Sequence, residues 1–115
     1  MKIQLLYFDG CPSWETALHN LRAACAQEGL PAEIELIEVR DDEDAARLRF
    51  LGSPSIVVDG QDLWPETRRA YYMSCRMYRT PEGMRGWPTV EMLRERLAQL
   101  ARGNPSAGQP GRRSP

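Results

Sequence analysis

The sequence predicts an α/β fold in which four β-strands and three helices follow one another in the order β-α-β-α-β-β-α. Short apolar runs of strand length alternate with stretches whose apolar residues recur at helical spacing. Glycine and proline mark the ends of these segments. The resulting fold is a mixed four-stranded sheet flanked by three helices.

The first half of the chain contains two strands and two helices. Residues 2–8 form the first strand, and residues 33–39 form the second. Cys11-Pro12 opens the first helix, since proline is favoured at the first helical position, and Gly29 ends that helix before Leu30-Pro31. Asp41 or Asp42 caps a second helix that runs through Ala45, Leu48 and Leu51 to Gly52.

The second half completes the sheet and adds the last helix. Residues 55–58 form a third strand, closed by the turn signal Asp59-Gly60. A fourth strand is expected around residues 75–79, antiparallel to the third across a long connection. The last helix begins near Thr89. From residue 103 the composition becomes Gly, Pro, Ser and Arg, so one domain over residues 1–102 is followed by a disordered tail over 103–115.

Composition and charge exclude several classes of protein. The 115 residues include 42% hydrophobic and 27% charged residues, with a formal net charge of −1, so no basic footprint for nucleic acid or an acidic membrane is present. No apolar run approaches the roughly 20 residues of a membrane span. The N-terminal apolar stretch stops at Asp9 and lacks the pattern of a signal peptide, which predicts a cytoplasmic location.

Three cysteines, Cys11, Cys25 and Cys75, form an odd and sparse set that favours a reducing compartment over a disulfide framework. With one histidine and no Cys-x-x-Cys pair, a closed four-ligand zinc site is not expected, and the sequence predicts no metal site.

The run Tyr7-Phe8-Asp9-Gly10-Cys11-Pro12-Ser13-Trp14 follows the first strand, and Gly52-Ser53-Pro54-Ser55 precedes the third. With this element order, the chain resembles the thioredoxin-like superfamily over residues 2–101. The resemblance implies that Cys11 is the nucleophilic cysteine at the first active-site helix, and that the Ser53-Pro54 peptide bond is cis beside it. The chain departs from the family's Cys-x-x-Cys pattern at Trp14, so that motif supplies no second thiol.

Cys11 is the first candidate catalytic residue. The nucleophile in thiol chemistry is the thiolate, and a helix N-terminus favours an anion through its free N–H groups and its dipole. The resemblance implies that Ser53 and Pro54 bind substrate, because a cis bond turns the Ser53 backbone toward the cysteine, where it could pair with an extended peptide or a glutathione-like molecule. Pro12 and Trp14 complete the candidate substrate-binding set, although a first-turn tryptophan is also typical of packing.

Cys75 is the candidate second catalytic thiol. It meets Cys11 only if residues 61–74 fold back over the site; otherwise a buried structural cysteine is expected. Cys25 lies on the apolar face of the first helix and is expected in the core, whereas His19 is expected to face solvent.

Residues near the end of the predicted last strand form a further candidate site. Arg79, Thr80 and Glu82 are candidates to line a binding groove. The aromatic and methionine residues between them and the third strand are interpreted as sheet core with a covering loop, or, where exposed, as a patch for a partner. These residues are Tyr71, Tyr72, Met73, Met77 and Tyr78.

The sequence leaves three functions open. The first is thiol–disulfide exchange at Cys11, with a disulfide-bearing or thiol-bearing protein or glutathione as partner or co-substrate and with Cys75 or an external thiol resolving the product. The second is soft-metal binding by thiolates converging from Cys11 and Cys75. The third is an interaction module that has lost redox activity, which the tryptophan at position 14 favours.

Overall fold

The computed structural model describes residues 1–30 and 33–102. The predicted tail over 103–115 and Pro31, expected to follow the first helix, lie outside these residues. The elements in chain order are β1 (Ile3–Tyr7), α1 (Trp14–Gln27), β2 (Ile34–Glu38), α2 (Asp42–Leu48), β3 (Ser55–Val58), β4 (Gln61–Asp62), β5 (Tyr78–Thr80), β6 (Gly83–Arg85) and α3 (Val90–Ala101).

The main sheet has four strands in the order β2-β1-β3-β4. β1 pairs with β2 in parallel, as the intervening helix predicts, and β3 pairs with β1 antiparallel. β4 lies antiparallel to β3. The predicted α/β class with a mixed four-stranded sheet is confirmed, and the described residues contain three helices.

The position of the fourth strand was predicted wrongly. It is the short β4, directly after the turn, and not a segment around residues 75–79. Asp59 and Gly60 both have positive φ, 51° and 85°, which is the backbone of a two-residue hairpin turn and returns the chain at once. β5, which overlaps the predicted strand, instead pairs with β6 in a separate two-stranded hairpin.

Two helix boundaries also differ from the prediction. α1 begins at Trp14 with Ser13 as its cap, so Cys11 and Pro12 lie in the loop before the helix. α2 ends at Leu48, because Arg49 adopts the left-handed conformation with φ of 53°. This turn lets the Phe50 N–H bond to the Ala45 carbonyl while the Phe50 side chain is fully buried.

The predicted start of α3 is confirmed. The Thr89 side chain accepts a hydrogen bond from the Met92 N–H at 3.1 Å, which satisfies one of the free donors of the first turn.

The sheet has an apolar core on each face. One cluster joins β1 and β3 to α1 and α3 through residues that include Leu5, Leu21, Ile56 and Leu93. The other cluster consists of Leu6, Val39, Ala45 and Phe50, with α2 against it. Alternate residues of β1 therefore serve opposite cores, as strand geometry requires, and the helices cover both faces of the sheet.

Gly52 marks the closest approach between the loop before β3 and the segment before β5. Its φ is +116°, and a Cβ atom there would lie 2.9 Å from the Cβ of Arg76. Gly60 also has positive φ, +85°, but a Cβ atom would meet nothing within 4 Å. Comparing Gly52 with Gly60 therefore distinguishes the effect of a positive φ from the effect of steric crowding.

We expect Gly52→Ala to destabilise the protein more than Gly60→Ala. Both variants place a side chain where φ is positive, which costs about 1–2 kcal/mol. Only Gly52→Ala also forces a side chain against Arg76, which adds about 1–3 kcal/mol. Urea unfolding of the two variants and the wild type measures the difference, and equal losses of unfolding free energy would contradict the close approach.

The N-terminus of α2 is held by hydrogen bonds from backbone N–H groups to two carboxylates. The Asp41 side chain accepts from the Asp44 N–H at 2.8 Å, and the Asp44 carboxylate accepts from the Arg40 N–H. The guanidinium groups of Arg47 and Arg40 also donate to Asp44. The hydrogen bond from Arg47, followed by those from Arg40, lowers the pKa of Asp44 from 3.8 to about 2.

This lowered pKa gives a defined acid dependence. A carboxyl group whose pKa is lower in the folded state stabilises the fold above its unfolded pKa, and that stability is lost as pH falls. We therefore expect the gap in unfolding free energy between wild type and Asp44→Asn to shrink as pH falls from 3.8 toward 2. Glu43→Gln, which removes a neighbouring carboxylate in the same turn, serves as the control. A gap independent of pH would contradict the assignment.

Candidate functional site

Cys11 lies in the loop between β1 and α1, with its side chain buried at 6% exposure. Its N–H donates to the Phe8 carbonyl at 3.1 Å, which closes a turn directly after the strand. Its Sγ lies 3.7 Å from the carbonyl oxygen of Ser53, within the range of an S–H hydrogen bond. The structure thus brings together the cysteine and the Ser53-Pro54 segment that the sequence singled out.

The Ser53-Pro54 peptide bond is cis, as the resemblance implied, and both residues are buried. The Ser53 Oγ accepts a hydrogen bond from the Phe8 N–H at 3.3 Å, so this side chain faces the loop that carries Cys11. The Pro54 carbonyl accepts from the Tyr78 hydroxyl at 2.6 Å.

The backbone of Ser53 already has partners within the chain. Its N–H donates to the Ser74 carbonyl at 2.8 Å, and its carbonyl accepts from the Arg76 N–H at 3.0 Å. The Ser53 backbone is therefore not free to pair with an extended substrate, because a substrate would first have to displace residues 74–76.

Cys75 sits between these two hydrogen bonds and forms a parallel bridge with Ser53. Residues 61–74 return the chain as far as Ser53, where the Ser74 carbonyl accepts from the Ser53 N–H. The expectation of a buried structural cysteine is wrong, because Cys75 is exposed. Cys75 and Met77 face outward in an extended segment whose alternate residues Arg76 and Tyr78 face inward.

Arg76 is a buried cation that the sequence analysis did not identify. Its side chain is 4% exposed and donates to Asp62 at 2.9 Å, to the Ser55 Oγ at 3.1 Å and to the Trp64 carbonyl. Its guanidinium carbon also lies 5.0 Å from the centre of the Tyr78 ring. The signal in the sequence was an arginine between the apolar and aromatic residues of a strand-like segment, with Met73, Met77 and Tyr78 around it.

The groups around Arg76 have shifted pKa values. Burial raises the pKa of Asp62, although the adjacent Arg76 charge opposes this shift. Burial likewise raises the pKa of Tyr78 above its ordinary value, so its hydroxyl remains protonated and donates to Pro54. The network thus holds β4, the loop after it and the cis-proline segment together.

The remaining candidates near Cys11 divide between packing and exposure. Trp14 stacks on Tyr7 with ring centres 4.3 Å apart, whereas Pro12 is exposed. His19 faces solvent and Cys25 is fully buried in the core, and both predictions are confirmed. Burial raises the pKa of the Cys25 thiol. Among these residues only Pro12 presents an open surface next to Cys11.

Ser13 packs closely against the loop after β6. A Cβ atom at Gly86 would overlap the Ser13 side chain, so the absence of a side chain at Gly86 allows this contact. Asn20 of α1 donates to the Pro88 carbonyl at 3.0 Å in the same loop. These contacts fasten the cap and the first half of α1 to the loop before α3.

The predicted groove residues lie in the β5–β6 hairpin. Thr80 is buried and its Oγ1 donates to the Gly83 carbonyl, while it accepts from the Glu82 N–H. Arg79 and Glu82 are exposed. The aromatic and methionine stretch is split: Tyr78 is buried, Met73 packs against the second core, and Tyr72 and Met77 are 50% and 55% exposed.

A scan against protein-family models, a search of curated proteins and a search of solved structures each found no match to this chain. Within residues 1–30 and 33–102, no helix combines the length and apolar character needed to cross a membrane. Among the same residues, no group of three or more His, Cys, Asp or Glu side chains could hold a metal ion.

We expect Arg76→Met to destabilise the fold by about 3–5 kcal/mol, because it leaves the Asp62 carboxylate, whose side chain is only 12% exposed, without this counter-charge. Arg79→Met makes the same replacement at an exposed position in β5, three residues further along the chain. It should change the unfolding free energy by less than about 0.5 kcal/mol. Urea denaturation compares the two. A loss at Arg76 no larger than that at Arg79 would show that the network does not stabilise the fold.

Proposed function

We propose that this protein is a thioredoxin-like thiol–disulfide exchange protein in which Cys11 and Cys75 form the reacting pair. The observation that carries the proposal is that each of the two cysteines is paired with Ser53. The Ser53 carbonyl accepts from the Cys11 thiol and from the Arg76 N–H, and Cys75 is the bridge partner of Ser53.

The direction of the Cys75 side chain supports this pairing. Directly paired residues of neighbouring strands project their side chains to the same face. The Ser53 side chain faces the Phe8 N–H and thus the loop of Cys11, so we expect Cys75 to project toward that loop as well. A disulfide needs Cα atoms within about 7 Å, and the bridge to Ser53 brings the Cys75 backbone to the segment that Cys11 contacts.

The arrangement of the sheet also supports the thioredoxin-like part of the proposal. The cysteine loop follows β1 and the cis-proline segment precedes β3, and these two strands are antiparallel neighbours in the sheet. The carboxyl end of β1 therefore lies beside the amino end of β3. Cys11 and Pro54 therefore lie at the same end of these two central strands, as the resemblance implies.

The proposed reaction exchanges two thiols for one disulfide. A protein thiolate attacks an external disulfide, forms a mixed disulfide and releases one thiolate. The second protein thiolate then attacks the protein sulfur of the mixed disulfide and releases the other. The external disulfide gains two electrons, the two cysteines lose two, and their protons pass to solvent or to the released thiolates. A thiol such as glutathione, as co-substrate, returns the pair to the reduced form.

In this proposal Cys75 supplies the second thiol, which the Cys-x-x-Cys motif would place at position 14, where this chain has Trp14. The second thiol comes from a distant part of the sequence, brought to Ser53 by the fold of residues 61–74. A pair that alternates between dithiol and disulfide requires a reducing supply, so the proposal includes a cytoplasmic setting.

We expect mild oxidation of the native protein with glutathione disulfide to link Cys11 to Cys75. Mass mapping after alkylation and digestion should find the two peptides joined, with Cys25 alkylated only after unfolding because it is buried in the core.

Cys75→Ser is the control for this experiment and should abolish the linkage while leaving the fold intact, since residue 75 is exposed. Recovery of Cys11 and Cys75 as separate glutathione adducts or as free thiols, with no peptide joining them, would contradict the proposed function.

A further inference from the structure

We propose, on the basis of the proposed function, that Cys75 is the outer thiol that meets the external disulfide and that Cys11 is the inner thiol that acts second. This order is the reverse of the one that the resemblance implied, in which Cys11 attacks the substrate. Access, hydrogen bonding and the strand alternation around the two sulfurs support this order.

Access differs sharply between the two cysteines. Thiol–disulfide exchange requires the attacking sulfur to approach the disulfide, so a thiol covered by protein reacts slowly with an external molecule. Cys11 is 6% exposed, whereas Cys75 is exposed. An external disulfide therefore reaches Cys75 without any movement of the chain.

The surroundings of Cys11 keep it in the interior. Its Sγ lies against the Ser53 carbonyl, which also accepts a hydrogen bond from the Arg76 N–H. The Ser13 and Gly86 contact fastens the loop that follows Cys11. Two backbone hydrogen bonds in turn hold Ser53, the residue that the Cys11 thiol contacts, to the segment 74–76.

The outward face of the segment around Cys75 is open by comparison. Cys75, Met77 and Arg79 are exposed in alternation with the buried Arg76, Tyr78 and Thr80. The side chain of Arg76 anchors this segment from beneath through Asp62 and Ser55. Cys75 is thus an exposed residue on an anchored backbone, held beside Ser53, whose carbonyl the inner thiol contacts.

The two steps follow with atoms and electrons in balance. The Cys75 thiolate attacks one sulfur of the external disulfide, forms a bond between Cys75 and that sulfur, and releases the other sulfur as a thiolate. The Cys11 thiolate then attacks the Cys75 sulfur, forms the Cys11–Cys75 disulfide, and releases the substrate's second thiolate. The second step takes place within one chain, so Cys11 does not have to approach an external molecule.

Alkylation of the native wild-type protein tests the difference in access without any substitution. With limiting iodoacetamide and peptide mass mapping, we expect Cys75 to be modified at least about tenfold faster than Cys11, with Cys25 slowest. Labelling of Cys11 as fast as Cys75 would overturn the proposal.

Trapping of the mixed disulfide tests the order directly. With glutathione disulfide as the probe, Cys11→Ser should accumulate a stable glutathione adduct on Cys75. Cys75→Ser should leave Cys11 largely unmodified over the same time. An adduct that forms as readily on Cys11 in Cys75→Ser as on Cys75 in Cys11→Ser would overturn the order.

The two readouts separate this inference from the function on which it rests. Formation of the Cys11–Cys75 disulfide in the wild type tests the function, whereas the position of the trapped adduct tests the order. If the disulfide forms but the adduct is found on Cys11, the order is wrong and the exchange function stands. If no disulfide forms, the function itself fails.

Discussion

The ion pair between Arg76 and Asp62 is the interaction on which the arrangement of the site depends. A guanidinium group inside a protein is tolerated only when its donors are satisfied and its charge is balanced. Here the partners come from the hairpin of β3 and β4 and the loop that follows it: Ser55 at the start of β3, Asp62 in β4 and Trp64 just after β4. Removing the arginine would leave each of these groups to find another partner.

Anchoring one residue of an extended segment fixes its neighbours as well. With the Arg76 side chain held from beneath, its backbone N–H is placed at the Ser53 carbonyl and Ser74 at the Ser53 N–H. The residue between them, Cys75, must then lie beside Ser53 with its side chain on the opposite face from Arg76. A charge buried on one side of the segment thus determines where a thiol appears on the other side.

Much of this architecture can be predicted from local sequence, because local signals fix β1, β3, the Asp59-Gly60 turn and the Thr89 cap. The fourth strand could not be placed correctly, since two residues of β4 are too few to show periodicity and a stronger apolar pattern around Tyr78 competes with them. The burial of Cys75 was predicted wrongly for a related reason. The inward face of its segment is set by Arg76, a residue type that usually marks the outward face.

The candidate site was predictable only in part. Cys11 and Pro54 stand next to recognisable strand ends, so their proximity follows from the order of the elements. The contact of residues 74–76 with Ser53 depends instead on a pairing between residues more than twenty positions apart, with a stretch after β4 that forms no helix or strand, and no short-range pattern encodes it. The close approach at Gly52, where a side chain would meet Arg76, is visible only once the two segments are in place.

The pairing of residues 74–76 with Ser53 also bears on how the protein behaves among other copies of itself. Unpaired backbone N–H and carbonyl groups beside a sheet can recruit a strand from another molecule, which leads to domain swapping or aggregation. Here residues 74–76 of the same chain pair with the backbone N–H and carbonyl of Ser53, so these two groups are not free to bind a strand from another molecule. A segment that brings a thiol to the site therefore also protects the sheet from association at this position.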